Sequence, residues 1–429
     1  MITVPLDPSG PSDPSDTRSQ DVPDDDSEAL RLRRSSRDAA QVPGRLAEFL
    51  AQVLPAGAEP EVAVEAGIDQ NGMSSDTLIC KVTWRECGAA RTRRFVARVA
   101  PAEHDVPVFP NYRLDHQYAV MSAVAELTSV PVPPVRWMEP TGEVLGAPFF
   151  LMEHVEGRVP PDVLPYTLGS NWLFDGPPEA QRRLQEETVS VLAEVHGIPD
   201  AAERFAFLDE GRRGDTALRR HLDWCRRWYE YGAAGIGRSA LVERAFTWLE
   251  ANWPTEADRR DPVLLWGDAR IGNVLYEDFR PVGVLDWEMT AVGPRELDLS
   301  WLVFAHRVFQ HMAESAGLPG IAHLLREEDV LDAYARRTGI RVGADDLRWF
   351  HVYSAVMWCC VFLRTGARQL HFGEIARPPE TEALFYHRAL LERLLDDAGD
   401  GGGAEAAGTG DAAGTAEAAG DAAYGGATA

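Results

Sequence analysis

The chain has 429 residues, with 42 Lys and Arg against 67 Asp and Glu and a formal net charge of -25. That balance, with no local basic stripe to offset it, excludes a nucleic-acid binder that works by phosphate neutralisation. Hydrophobic residues at 45% and charged residues at 25% are ordinary for a globular protein and supply a sizeable core.

Lys81 is the single lysine beside 41 arginines, so any phosphate chemistry must use guanidinium groups or that one ammonium. The five cysteines, Cys80, Cys87, Cys225, Cys359 and Cys360, lack metal-ligand spacing, and their odd number points to reduced thiols in a cytoplasmic protein. Residues 1–40 carry Pro, Ser and Asp, including Asp24-Asp25-Asp26, with no apolar run for a signal peptide, and are expected to be disordered. Residues 396–429 are Gly, Ala and Thr with seven acids and no base, a second expected disordered tail. The two ends together supply 11 of the 25 net negative charges. The longest apolar stretch, near Val356 to Leu363, falls short of the ~20 residues that span a bilayer, so no membrane segment is expected.

In chain order, alternating segments Glu61 to Ile68, Thr77 to Trp84 and Arg94 to Ala100 predict three antiparallel strands. A helix over Leu114 to Leu127 follows, then strands Val135 to Glu139 and Pro148 to Val155 around the turn Pro140-Thr141-Gly142. This makes a five-stranded antiparallel sheet with one helix. After Gly157, helical periodicity dominates over Glu179 to Val195, Thr216 to Tyr231, Ala240 to Asn252, Leu297 to Met312, Asp345 to Leu363 and Thr381 to Leu395. The expected fold is therefore α+β, with an N-terminal lobe at 41–154, a larger mainly helical C-terminal lobe at 155–395, and a cleft between them.

The stretch from Val263 to Trp287 breaks the helical pattern. Val263-Leu264-Leu265 leads into Trp266-Gly267-Asp268-Ala269-Arg270-Ile271-Gly272-Asn273, and Val274-Leu275-Tyr276 with Val282-Gly283-Val284-Leu285 reads as a hairpin turning at Glu277 to Pro281. Pairing Val274 with Leu285 brings Asn273 and Asp286 to one end of that hairpin. Their oxygens suit a hard ion such as Mg²⁺, which takes one or two protein ligands and completes its shell with substrate phosphates. Asp268, five residues before Asn273, is placed to orient a hydroxyl beside the metal-bound phosphate.

Trp-Gly-Asp-x4-Asn followed by Leu-Asp-Trp-Glu resembles the catalytic core of the aminoglycoside phosphotransferase-like family, relatives of protein kinases, whose usual pattern is His-Gly-Asp-x4-Asn then Ile-Asp-Trp or Ile-Asp-Phe. The resemblance implies a protein-kinase-like bilobal fold, Asp268 as catalytic base, Asn273 and Asp286 as ligands of Mg²⁺, and ATP, or GTP in its place, as phosphate donor. Gly293-Pro294-Arg295-Glu296-Leu297-Asp298-Leu299 is similar to the family's Gly-Asp-Pro-x2-Asp-Leu, in which the residue matching Asp298 seats the catalytic loop.

In the small lobe, Gln70-Asn71-Gly72-Met73-Ser74-Ser75-Asp76-Thr77 looks like a loose version of the family's nucleotide loop, where Gly72, Ser74 and Ser75 would let backbone amides approach phosphates. Phe95-Val96-Ala97-Arg98 resembles the segment that ends in a phosphate-binding cation, which points to Arg98, with Lys81 on the preceding strand as the alternative. Phe149 to Gly157 is similar to the hinge between the lobes, with Glu153 and Val155 backbones facing an adenine edge. Two residues depart from the family pattern: Gln117 stands where a helix Glu pairs with the cation, and Trp266 replaces the loop His. His196 reads as a packing residue, and Trp224, Trp228 and Tyr229 as a core or groove wall.

The expected activity is transfer of a γ-phosphate to a hydroxyl of a small molecule, such as an aminoglycoside-like antibiotic, which would make the protein a resistance enzyme, or a non-antibiotic metabolite alcohol. A nucleotide-binding module without transfer is the alternative from another class. Neither a nucleic-acid nor a membrane partner is expected, and the sequence leaves the oligomeric state open.

Overall fold

The computed structural model describes residues 40–66, 76–162 and 164–396. The expected phosphate-loop residues Gly72, Ser74 and Ser75, and both terminal tails, lie outside the described residues.

The first element is a helix absent from the sequence-based expectation, α1 (Val42–Val53). Its Val42, Leu46, Phe49 and Leu50 recur at helical spacing and are buried, while Pro43 occupies the first turn, where a missing N–H costs nothing. The sheet follows with β1 (Glu61–Ala66), β2 (Asp76–Glu86) and β3 (Ala89–Val99), then α2 (Leu114–Leu127), β4 (Val135–Glu139) and β5 (Phe149–Glu153). Its antiparallel order is β1-β2-β3-β5-β4. β2 and β3 run longer than their apolar alternation, joined by the two-residue turn Cys87-Gly88, both at positive φ, as a tight hairpin turn requires.

The two faces of the sheet have different neighbours. Phe95, Ala97, Val99, Phe149 and Leu151 pack with α1 in one core. On the opposite face Val96, Phe150 and Met152 join α2 and the helical lobe in a second, larger core. Strand alternation therefore puts Arg98, which pairs with Phe150, on the face that looks toward the helical lobe.

Beyond β5 come α3 (Pro178–His196), a one-turn α4 (Ala201–Arg204), α5 (Ala217–Ile236), α6 (Ala240–Ala251) and a one-turn α7 (Thr255–Asp258). Thr216 and Ser239 cap α5 and α6 by accepting from Arg219 N and Val242 N. Four short strands interrupt the helices: β6 (Val263–Leu265) pairs with β9 (Ala291–Gly293), and β7 (Val274–Glu277) with β8 (Arg280–Val284). Then come α8 (Glu296–Ser315), α9 (Glu327–Thr338), α10 (Ala344–His371) and α11 (Arg388–Asp396). α10 packs against α5, α6, α8 and α11, so it is buried on nearly every side through its first five turns. Among the described residues no helix is long and apolar enough to cross a membrane. The five cysteines are free, and all but Cys87 are buried.

One expectation needs correction. Val274 pairs with Val284 rather than Leu285, because the hairpin closes on the two-residue turn Asp278-Phe279 with Glu277 opposite Arg280, and the bulge between Leu275 and Tyr276 recovers only one residue of the offset. The amide of Leu285 nonetheless donates to the carbonyl of Asn273 at 2.8 Å, so Asn273 and Asp286 still meet at one end of the hairpin.

Candidate active site

The loop after β6 is shaped by its backbone. Gly267 has φ 93, and a Cβ there would lie 2.1 Å from the carbonyl oxygen of Met289, so only glycine fits. The amides of Trp266 and Gly267 donate to the two carboxylate oxygens of Asp298 at 2.8 and 2.9 Å. Asp298 is buried in the first turn of α8 and also meets His196 Nε2 at 3.1 Å, whose Nδ1 reaches Tyr334 Oη at 3.0 Å. Trp266, fully buried in place of the family's His, donates its indole N–H to Leu285 O at 2.8 Å and so ties the loop to the residue before Asp286.

Asp268 then projects beside three donors. Its Oδ1 accepts from Trp301 Nε1 at 2.7 Å, its Oδ2 accepts from Asn273 Nδ2 at 2.7 Å, and Arg270 Nε lies 3.0 and 3.1 Å from the two oxygens. Arg270 also pairs with Asp162 from the segment that follows the hinge. Burial opposes the Arg270 charge, but Asp162, Asp268 and Asp286 more than offset it and hold this guanidinium above its ordinary value.

Asn273 ends a single 3₁₀ turn, Ile271–Asn273, and is buried. Both of its amide hydrogens are engaged by Asp268, one by the backbone oxygen at 3.1 Å and one by the carboxylate, which leaves its carbonyl oxygen to face elsewhere. Asp286 stands at φ 59, and burial first, then the Glu288 charge, push its carboxyl up to about 7. An amide oxygen and a carboxylate on one hairpin end are donors of the type Mg²⁺ takes beside phosphate oxygens. Among the described residues no cluster of three or more His, Cys, Asp or Glu side chains could hold a metal by itself.

Arg98 reaches this group from the sheet. Its Nη2 lies 2.5 Å from Glu288 Oε1 and 3.4 Å from Asp286 Oδ1, and its Nη1 3.4 Å from Thr77 Oγ1. Lys81 shares that face but pairs with Arg94, four residues along β2 from Thr77, and points into solvent. The geometry thus brings Arg98, and not Lys81, to the carboxylates. Gln117 is buried on α2, and among the described residues no side-chain hydrogen bond joins it to Arg98.

Glu153 and Val155 lie apart from this cluster, at the end of β5 and just beyond it. The Glu153 amide donates to Pro134 O at 2.9 Å, and its side chain receives Arg93 Nη1 at 2.9 Å and Arg136 Nε at 2.8 Å. His196 is, as expected, a buried packing residue, and Trp228 and Tyr229 are core, with Trp224 partly buried beside them. Sequence reasoning missed Asp162, Arg270, Glu288 and Trp301. Arg270 and Glu288 lie inside the quoted motifs and could have been asked for a role there; Asp162 and Trp301 carry no local signal.

A five-stranded antiparallel sheet over a helical lobe, with a loop, a hairpin and a sheet cation meeting between them, defines the protein-kinase-like fold. Residues 83–339 match the model of the phosphotransferase enzyme family, and the chain belongs to that family. It is 24% identical over 327 residues to the Arabidopsis thaliana protein named "Probable acyl-CoA dehydrogenase IBR3", covering 73% of this chain and 38% of that one. It is 29% identical over 299 residues to "Acyl-CoA dehydrogenase family member 11" of Gallus gallus, covering 68% of this chain and 36% of that one. The chain therefore spans less than two fifths of the length of these relatives. A solved structure from Ralstonia eutropha, provisionally assigned as an aminoglycoside phosphotransferase, superposes with a TM-score of 0.58 at 20% identity, covering 83% of this chain and 98% of that one.

Proposed function

We propose that this protein transfers the γ-phosphate of ATP to a hydroxyl of a small molecule in the cytoplasm. The observation that carries this reading is the setting of Asp268, held by Trp301, Arg270 and Asn273 beside Asp286 and Arg98. In that reading Asp268 accepts the proton of the acceptor hydroxyl as its oxygen bonds to the γ-phosphorus and the bond to the departing ADP oxygen breaks. Mg²⁺, held by Asn273 and Asp286, supplies charge neutralisation on the phosphates. Arg98 meets the phosphates from the sheet, and the Glu153 carbonyl and Val155 amide receive the adenine edge; Gly72, Ser74 and Ser75, which the resemblance assigns to the phosphates, lie outside the described residues.

Two observations favour a metabolite alcohol over a polycationic antibiotic as acceptor. The acids around Asp268 already have arginine partners, Asp162 and Asp268 with Arg270 and Asp286 and Glu288 with Arg98. Beside Asp268, Trp301 stacks on Trp358 with ring centroids 5.6 Å apart, both rings buried, so what backs the carboxylate there is apolar packing rather than further acids. The curated relatives carry acyl-CoA dehydrogenase names, which directs the search toward hydroxylated acyl compounds.

The test incubates purified protein with Mg²⁺-ATP and a panel of hydroxy acids, acyl thioesters, amino alcohols and aminoglycosides, and detects the gain of one phosphate by mass. Asp268→Asn is expected to lower transfer by about 10²- to 10⁴-fold while nucleotide still stabilises the protein. Nucleotide binding with no acceptor phosphorylated across the panel would instead support a binding module.

A further inference from the structure

We propose that Glu288 supplies the counter-charge for Arg98 that α2 does not, and so acts as a positioning residue for the phosphate-facing cation; this role rests on the phosphotransferase reading. Arg98 is largely shielded from water, with its side chain 14% exposed, and a guanidinium so placed needs a compensating charge. The residue on α2 best placed by the family pattern is Gln117, which brings none. Glu288, itself 4% exposed at its side chain, closes to 2.5 Å on Arg98 Nη2, whereas Asp286 stands at 3.4 Å.

Glu288 meets Arg98 through Oε1, while its Oε2 is buried and has no hydrogen-bond partner among the described residues, so the hydrogen-bonded compensation of this carboxylate runs through Arg98 alone. Trp287, between the two acids, is buried and donates its indole N–H to Val284 O at 3.1 Å, which fixes the backbone from which both carboxylates project.

This division has a mechanical consequence. When Asp286 turns to a metal ion, Arg98 keeps Glu288, so the cation stays in place without borrowing the metal ligand. The pair also links residues 190 positions apart, from the small lobe's sheet to the large lobe's hairpin. Where a helix-borne Glu would make the cation's position depend on how α2 sits, Glu288 ties it directly to the residues that face the metal.

The test compares wild type, Glu288→Gln, Gln117→Glu and the double variant in two ways. Urea denaturation without nucleotide or metal, run as a double-mutant cycle with Arg98→Met, reads whether the two side chains are coupled. Steady-state kinetics read kcat, KM for ATP and the Mg²⁺ concentration for half-maximal rate. We expect coupling in denaturation, a fall of about tenfold or more in kcat for Glu288→Gln, half-saturating Mg²⁺ within about twofold of wild type, and partial recovery of kcat and urea midpoint when Gln117→Glu is added. A rise of about tenfold in half-saturating Mg²⁺ would make Glu288 a metal ligand and overturn the proposal. An unchanged kcat, no coupling, or no recovery in the double variant would overturn it too. If wild type neither binds nucleotide nor transfers phosphate, the phosphotransferase reading fails and this role with it, while the denaturation cycle still reports the ion pair.

Discussion

Asp286 concentrates two costs in one residue. Its φ of 59 is a left-handed conformation that costs a non-glycine residue on the order of 1–2 kcal/mol, and desolvation of its half-buried carboxyl, then the Glu288 charge, push it up to about 7. A side chain kept under both strain and desolvation is kept for what it binds. Asparagine tolerates that backbone better than most residues, so Asp286→Asn removes the charge without adding strain. We expect phosphoryl transfer at saturating Mg²⁺ to fall by about 10³-fold, with the thermal midpoint at pH 7 no lower than wild type. Near-normal turnover would remove the metal role, and a lowered midpoint would show Asp286 to be structural. That Asp268, Asn273 and Asp286 would be brought together was legible in the sequence, because one short loop and one hairpin carry them at fixed spacing. Trp301 and Asp162 were not, since their partners lie 33 and 108 residues away and no local pattern marks them, whereas Glu288 stood inside the quoted motif and only its partner, 190 residues away, was hidden.

At the scale of elements, the catalytic loop is seated by α8. Asp298 uses both oxygens to receive the amides of Trp266 and Gly267 and also meets His196, all out of water. An asparagine there keeps one acceptor and turns the other into a donor facing an amide. Asp298→Asn is expected to lower unfolding free energy by about 2–4 kcal/mol in urea titrations, because buried N–H groups lose their partner. Unchanged stability would mean that the loop seats itself through Gly267 and β6 alone. The helices over 114–127, 240–251 and 296–315 were legible from apolar periodicity, each within three residues of its observed ends. α1 and α9 were not: α1 follows a polar segment that obscured its short buried stripe, and α9 opens with Glu327, Glu328 and Asp329, which mask Val330, Leu331 and Tyr334. The expected single helix over 381–395 is instead a 3₁₀ turn, Thr381–Leu384, followed by α11, with Phe385 and His387 buried between them. Periodicity reports which residues are buried, and a kink that keeps them buried leaves that pattern almost unchanged.

At the scale of the whole molecule, the helical lobe buries neutral imidazoles. Burial lowers His221 to about 3, with the Arg212 charge adding to the effect, and lowers His306 and His387 to about 4. Each has a hydrogen-bond partner that suits the neutral ring: Tyr353 for His221, Tyr166 and Ile321 O for His306, and Ala355 O for His387. In the unfolded chain an imidazole titrates near ~6.5, so below that pH the unfolded state binds protons that these folded sites refuse. Their contribution is therefore complete above about pH 6.5 and is lost as pH falls toward 4. At about pH 5 the loss is roughly 2 kcal/mol for each histidine, an upper bound because the denatured chain is not a free imidazole. Stability should fall steeply between pH 6.5 and 5, above the range where most carboxylates titrate. Thermal midpoints measured across that interval should show the fall in wild type and a measurably shallower one in His387→Gln, whose amide can still donate to Ala355 O without gaining a charge. Equal slopes in the two proteins would assign the acid sensitivity to groups outside the helical core.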